Sequence, residues 1–353
     1  MKFKSGIYKK QSGYKSFYPT LLNDSDFIFQ NKSINLLLEK AILKLGELNA
    51  YSELIPDVDF FIKMHIAKEA SSSSKIEGTK TEIDELFIPE EDIPLELRDD
   101  RNEVLNYIDA LNWSVKELDK IPLSMRLIKG AHKILLSGVR GKTKLPGQIR
   151  KSQNWIGGAT LSSAFFVPPH PGDLADLLSD LEKFWHNEND KTSHLIKAAV
   201  THYQFETIHP FLDGNGRTGR LLIILYLMNF GLLKKPALYL SSYFEEYRQD
   251  YYDALTYVRT QNNLEHWIKF FLEGMILATD DSKHIFASIL KLKEKYESVI
   301  SKNMGRRTGN SLELLKKLFS KPIVSINEIQ DLIDVSFPTA NAIAKRFLEL
   351  GLF

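Results

Sequence analysis

Apolar residues recur along this chain at helical rather than strand spacing. From Ser33, the positions Leu36, Leu37, Ile42, Leu45 and Leu48 predict one face of a helix. A second helix is predicted from about Asp57 to Ile76, with Phe60, Phe61, Met64, Ala67 and Ala70 on its inner side. Four serines, Ser71 to Ser74, interrupt that pattern and by composition suit a small linker. The periodicity nevertheless continues through Ile76, and Gly78 stands where a helix C-terminal glycine belongs. Pro89 to Pro94 reads as a loop, and helices resume at about Arg101–Lys120, Ser124–Leu136 and Leu174–Leu277. Between Gly138 and Pro171, glycine and proline punctuate short extended stretches, which predicts a β-hairpin flap and loops. The aromatic Phe17-Tyr18-Pro19 predicts an irregular arm laid across another part of the surface.

The fold class expected is mainly α, a helical core with a small β-hairpin flap. Gly305 to Asn310 has linker composition and sets off three short helical patterns, Ser311–Phe319, Ser325–Ile333 and Ser336–Leu350. These resemble a helix-turn-helix of the winged-helix type. Three regions follow: an N-terminal arm with a helix over 1–100, a core over 101–290 and a winged-helix-like unit over 305–353. No period of 20 to 50 residues repeats, which argues against a solenoid.

Composition narrows the chemistry. The formal net charge of the 353 residues is +1, which argues against bulk electrostatic coating of nucleic acid but not against a local basic patch. With no cysteine, disulfides, thiolate metal sites and cysteine nucleophiles drop out together. The richest apolar run, Leu221 to Met228, is too short to span a bilayer. Met1 to Gly6 lacks the apolar stretch of a secretory signal, and a cytoplasmic protein without membrane contact is expected.

One segment carries most of the chemical information: His209-Pro210-Phe211-Leu212-Asp213-Gly214-Asn215-Gly216-Arg217-Thr218-Gly219-Arg220, followed at once by the apolar Leu221 to Leu225. A loop here delivers the chain into a buried helix that ends near Gly231. Gly214, Asn215 and Gly216 can adopt backbone angles closed to most residues, so successive amide N–H groups can point into one concavity. The helix start adds its partial positive charge. Arg217 and Arg220 lie where cations oppose that dipole, which predicts a bound anion, and their forks suit phosphate oxygens. Asp213 would repel a bare phosphate, and a divalent cation such as Mg²⁺ between them removes the conflict. His209, with an ordinary pKa near 6.5, is suited to accept a proton from an attacking hydroxyl.

The twelve-residue string resembles the signature of Fic-domain proteins at every position. The resemblance implies a mostly helical fold and transfer of AMP from ATP to a Ser, Thr or Tyr hydroxyl of a target protein, possible self-modification included. It implies His209 as general base and Asp213 as the Mg²⁺ ligand. Gly214, Asn215, Gly216, Arg217, Thr218, Gly219 and Arg220 are implied to hold the phosphates. Ser73-Ser74-Lys75-Ile76-Glu77-Gly78 fits the inhibitory pattern of one Fic class. In that reading Glu77 pairs with Arg220 and deprives the outer phosphate of its clamp, while Ser73, one turn earlier, helps hold the segment.

Pro146 to Arg150 and Trp155 to Gly158 resemble the family's flap, whose edge would align a target segment by strand addition. Tyr239 to Phe244 and Arg248 to Asp253 resemble the segment closing over adenine, with Tyr252 taken as the base-side aromatic. Two alternatives stand beside adenylyl transfer: hydrolytic removal of AMP at the same site, and a nucleotide-sensing regulator that contacts DNA or protein through its tail. Against the latter, the third tail helix carries only Lys345 and Arg346 as cations. A homodimer is compatible with all three.

Overall fold

The computed structural model describes residues 3–54 and 58–353. It opens on two antiparallel strands, β1 (Gly6–Lys10) and β2 (Lys15–Pro19), with Gly6 opposite Pro19. The expected irregular arm is therefore a hairpin. Gly13 turns it at φ +87°, and the Gln11 N–H donates to the Tyr14 carbonyl at 2.8 Å. Phe17 is buried, its N–H donates to Val167 at 2.9 Å, and its ring packs on Phe166 with centroids 5.9 Å apart. The hairpin thus braces the 138–171 segment from behind.

Helix α1 (Lys32–Leu54) lies along the longest helix of the chain. Its buried face is Ile34, Ala41, Leu45 and Leu48, whereas Leu36 and Ile42 are exposed. Leu45 and Leu48 thus lie on the predicted face and Leu37 packs against it, while Leu36 and Ile42 fall off it. Helix α2 (Val58–Ile76) follows; the expected start at Asp57 and the side chains of Phe60 and Phe61 lie outside what the structure describes. Ser71 to Ser74 are helical and buried rather than a linker. Their small side chains admit a neighbouring helix closely enough for Ser72 Oγ to lie 3.2 Å from Ser242 Oγ. Gly78, at φ +99°, ends the turn after α2 as expected.

Helix α3 (Leu95–Leu118) begins more than a turn before the expected Arg101. Helix α4 (Met125–Leu135) is capped by Ser124, whose hydroxyl accepts the Leu127 N–H at 3.4 Å. The 138–171 segment is a loop pinched by a single antiparallel bridge, Ile156 to Phe166, rather than a strand-paired hairpin. Gly157 and Gly158 have positive φ, Thr160–Ser163 closes its own capped turn, and Pro168 and Pro169 have no N–H to donate.

Helices α5 (Leu174–Trp185), α6 (His194–Ile208), α7 (Asn215–Asn229), α8 (Leu240–Glu246) and α9 (Arg248–Gln261) form the centre. Every residue of α6 from Leu195 to Ile208 is buried, which marks it as the core helix. It packs on α7, and the turn joining them is the 209–214 loop. Helix α10 (Leu264–Asn303) is the one α1 lies along. Gly305 to Asn310 is not a linker: a short turn leads straight into α11 (Thr308–Leu318), followed by α12 (Ile326–Leu332) and α13 (Phe337–Glu349). Ile300 and Met304 of the α10 end join Leu314, Ile329, Ile343 and Phe347 in a second apolar cluster. No strand follows α13 among the described residues, so the three-helix unit is observed without a wing.

Candidate active site

His209 ends α6 in the left-handed conformation, φ 50° and ψ 61°, with its N–H on the Phe205 carbonyl at 2.9 Å. A non-glycine residue holds such angles only when its surroundings fix it. Here Arg150 Nε donates to the His209 carbonyl at 2.9 Å and Asn154 Nδ2 donates to it at 3.2 Å. Arg150 also donates to the carbonyls of Pro169 at 2.6 Å and Ile208 at 3.4 Å, and it is 2% exposed. A cation at the C-terminal end of α6 opposes its dipole favourably. Burial lowers the Arg150 pKa to about 10, which still leaves it charged at neutral pH.

The loop is fastened from two further sides. Asn215 clasps Phe211, accepting its N–H at 2.8 Å and donating to its carbonyl at 2.9 Å. His132 of α4 stacks on Phe211 with centroids 3.7 Å apart and planes at 6°. Its Nδ1 accepts the Gly147 N–H at 2.8 Å, which leaves Nε2 as the protonated nitrogen, donating to the Asp213 carbonyl at 2.9 Å. Burial lowers the His132 pKa to about 4, so the ring is a neutral structural tie.

His209, Asp213, Gly214, Asn215, Gly216, Arg220, Tyr252 and Glu77 all line one cavity of about 550 Å³, within the range of small-ligand sites. The His209 Nδ1 faces the Glu206 carbonyl at 3.3 Å; a carbonyl can only accept, so Nδ1 carries the proton and Nε2 the lone pair. Burial lowers the His209 pKa to about 4. The imidazole is therefore neutral and able to accept a proton at pH 7. Asp213 Oδ1 accepts the Gly214 N–H at 2.6 Å, and its side chain is 42% exposed.

The two arginines part company. Arg220 Nε donates to Ser73 Oγ at 2.8 Å, and its Nη2 donates to the Ser73 carbonyl and to Glu77 Oε1, both at 2.7 Å. Burial alone would raise the Glu77 pKa, but the charge and hydrogen bond of Arg220 outweigh it and bring it below the usual value. Arg217 instead points to α3, where Nη1 meets Glu103 Oε2 at 2.8 Å with both side chains 6% exposed. The structure does not bring Arg217 to the cavity. Two carboxylates of the chain itself thus answer the anion requirement read from the sequence. Thr218 also turns inward, its hydroxyl donating to the Gly214 carbonyl at 2.8 Å. At Gly219 the absent side chain leaves room for Glu206, since a Cβ there would stand 2.2 Å from Glu206 Oε1.

Of the paired tyrosines, Tyr251 is locked in the core with its hydroxyl 2.8 Å from His202 Nε2, while Tyr252 is 38% exposed at the cavity rim. Sequence alone does not mark Glu103, His132, Arg150, Glu206 or Arg259 as site residues. Glu206 and Arg259 line the cavity, and the other three hold its walls. Only Glu206 offered a local signal, lying three residues before His209 on the same helix.

Family comparison agrees with this geometry. A model described as Fic/DOC family N-terminal matches residues 35–116, and the Fic/DOC family model matches residues 122–227, together more than half of the chain. The chain belongs to the Fic/DOC family. It is similar to the protein adenylyltransferase Fic of Drosophila yakuba, 36% identical over 135 residues, which are 38% of this chain and 26% of that protein. The corresponding protein of Drosophila ananassae is 30% identical over 195 residues, 53% of this chain and 36% of that protein. The Fic chain thus matches about a quarter to a third of the length of these curated relatives. A crystal structure of a Fic family protein from Desulfovibrio desulfuricans superposes with a TM-score of 0.63 at 19% identity, covering 92% of this chain and 91% of that one. The mainly helical Fic fold extends over nearly the whole chain.

Proposed function

We propose that this chain is a protein adenylyltransferase, moving AMP from ATP to Ser, Thr or Tyr hydroxyls of target proteins and of itself, and that Glu77 restrains it by occupying Arg220. The observation that carries the reading is one cavity holding a neutral, proton-accepting His209 beside the anion-binding start of α7. In this reading Nε2 of His209 takes the target hydroxyl proton as the oxygen attacks the α-phosphorus. The bond from that phosphorus to the bridging oxygen breaks, pyrophosphate leaves, and the ring later gives its proton to solvent.

The start of α7 at Gly214–Gly216 faces the phosphates, Arg220 clamps the outer one once Glu77 withdraws, and Tyr252 packs at the base side. Arg217 and Thr218 serve by fixing α7, as their partners Glu103 and Gly214 support. Among the described residues no three His, Asp or Glu side chains converge on a metal position. That donor set suits Mg²⁺ held by one carboxylate, Asp213, with phosphate oxygens and water completing its shell. When bound, the ion would neutralise phosphate charge.

A second reading, hydrolytic removal of AMP, is favoured by the Glu77 carboxylate reaching into the cavity, where it is able to orient water. The deciding experiment incubates wild type, Glu77→Gly and His209→Ala with Mg²⁺ and ATP labelled at the α-phosphate, then locates label by mass spectrometry. Label rising in Glu77→Gly and absent in His209→Ala is expected. Equal label in all three would sink the proposal. Release of AMP from the pre-labelled protein by wild type, and not by Glu77→Gly, would favour the second reading.

A further inference from the structure

Glu206 carries a buried carboxylate that the transfer chemistry above does not use. It is 8% exposed, Oε1 has no hydrogen-bond partner, and Oε2 lies 3.9 Å from Nδ1 of His209. Among the described residues it is the one carboxylate within 4.0 Å of a His209 ring nitrogen. Its seat is built: Gly219 has no Cβ, and a Cβ there would stand 2.2 Å from Oε1. Charged and titratable groups face it from each side, Arg220 of α7, Glu77 after α2, and Tyr251 and Arg259 of α9.

We infer that Glu206 is a positioning residue for His209: its carboxylate, 3.9 Å from Nδ1, balances the imidazolium that forms when Nε2 takes a proton, while its own backbone carbonyl keeps the Nδ1 proton in place. The inference rests on the proposed role of His209 as base. Its physical need comes from the other charges. Arg150, bonded to the His209 carbonyl, and Arg259 both oppose a positive ring. Glu77, which favours it, must leave Arg220 for the outer phosphate to bind. Glu206 then remains as the carboxylate against the ring. A fixed anion beside the protonated edge of a histidine base stabilises its charged form. Glu206 does not take the proton itself.

Burial raises the Glu206 pKa to about 7, with Arg220 opposing and Glu77 adding to that rise. The coupling is therefore readable near neutral pH, well above the His209 titration. Full-length protein labelled with ¹³C-histidine would be followed by NMR from pH 4 to 9, the His209 signal being assigned by its loss in His209→Ala. Wild type should show two inflections, one near 4 from the ring and one near 7 from the neighbouring carboxyl. The upper one should vanish in Glu206→Gln and persist at a shifted pH in Glu206→Asp. An upper inflection retained in Glu206→Gln, or absent from wild type, would overturn the inference. In a Glu77→Gly background, self-labelling from α-labelled ATP should rise about tenfold between pH 6 and 8.5, the size of about one pKa unit, and stay flat once Glu206 is also Gln. The same rise in both would likewise overturn it. An inert Glu77→Gly protein whose upper inflection still depends on Glu206 would count against adenylyl transfer and for the coupling.

Discussion

A side chain at Gly216 would stand 2.2 Å from Oε1 of Glu77. The missing Cβ lets the carboxylate settle over the first turn of α7, where the helix dipole and Arg220 both attract it. Any phosphate approaching that turn meets an anion already there. Glu77→Gly is therefore expected to tighten ATP·Mg²⁺ binding by roughly ten- to a hundredfold, the range of one charged hydrogen bond. Ser73→Ala, which removes the bond to Nε but keeps the backbone acceptor, should fall between that variant and wild type. Calorimetric titration with ATP·Mg²⁺ checks the order, and an affinity for Glu77→Gly at or below wild type contradicts it.

Gly216→Ala separates the two consequences of the same contact. Its methyl group would displace Glu77 and also fill the approach to the helix start. Binding of ATP·Mg²⁺ should be weaker than in wild type even though the carboxylate has moved. Tighter binding would mean that the phosphates do not come near this turn.

The ion pair between Arg217 and Glu103 is buried on both sides. Glu103→Ala leaves a guanidinium in the interior with its main partner gone, and a loss of about 3–5 kcal/mol is expected. Replacing both residues by Met should recover most of that loss, because two apolar side chains of similar volume need no pairing. Urea denaturation of the two variants measures the difference. A cost below about 1 kcal/mol for Glu103→Ala would show that Arg217 finds another anion.

Much of the site was legible because its residues are contiguous. His209, Asp213 and the glycines of the α7 start sit in one string, and local sequence dictates their relation. The Glu77–Arg220 contact also followed, since Ser73 and Glu77 are one turn apart and the family pattern supplied the distant partner. Arg217 could not be read this way. Its neighbour Arg220 is three residues away, yet long side chains on one helix turn diverge, and Glu103 lies on a helix far off in sequence. Arg150 and His132 escaped for the same reason: each acts through backbone carbonyls or amides brought close only by tertiary packing. The serines of α2 read two ways, because a flexible linker and a helix needing a close neighbour both favour small side chains, and the period continuing through Ile76 points to the helix that forms. In α1 the period marks Leu45 and Leu48 correctly, but it also takes in Leu36 and Ile42, which are apolar and exposed. Single exposed apolar residues are common enough that pattern alone does not settle a face.

His132 offers a test of how the loop is held. His132→Phe keeps the ring stacked on Phe211 while removing the bonds to the Gly147 N–H and the Asp213 carbonyl. Leaving a half-buried amide and carbonyl without their partner costs at most about 1–3 kcal/mol. A stability loss of that size is expected in denaturant unfolding, together with a higher Mg²⁺ requirement for transfer, because Asp213 loses its backbone anchor. Unchanged stability and Mg²⁺ response would mean that Asn215 and Arg150 hold the loop without it.

The raised pKa of Glu206 makes a separate claim about stability. Unfolded, this carboxyl releases its proton near 4.5; folded, burial delays release to about 7. Between those values the folded state binds the extra proton, so stability is fully present below the lower pKa and falls as pH rises through the upper one. A displacement from 4.5 to about 7 corresponds to roughly 3 kcal/mol, lost by the time the pH passes 8. Gln has nearly the same shape and no proton to lose. Glu206→Gln should therefore match wild type within about 1 kcal/mol at pH 4.5 and exceed it by roughly 2–3 kcal/mol at pH 8. Urea midpoints at the two pH values measure this directly. A Gln variant that is less stable at pH 8 would show that the ionised carboxylate has found compensating partners in Arg220 and Arg259, and that burial does not dominate its environment.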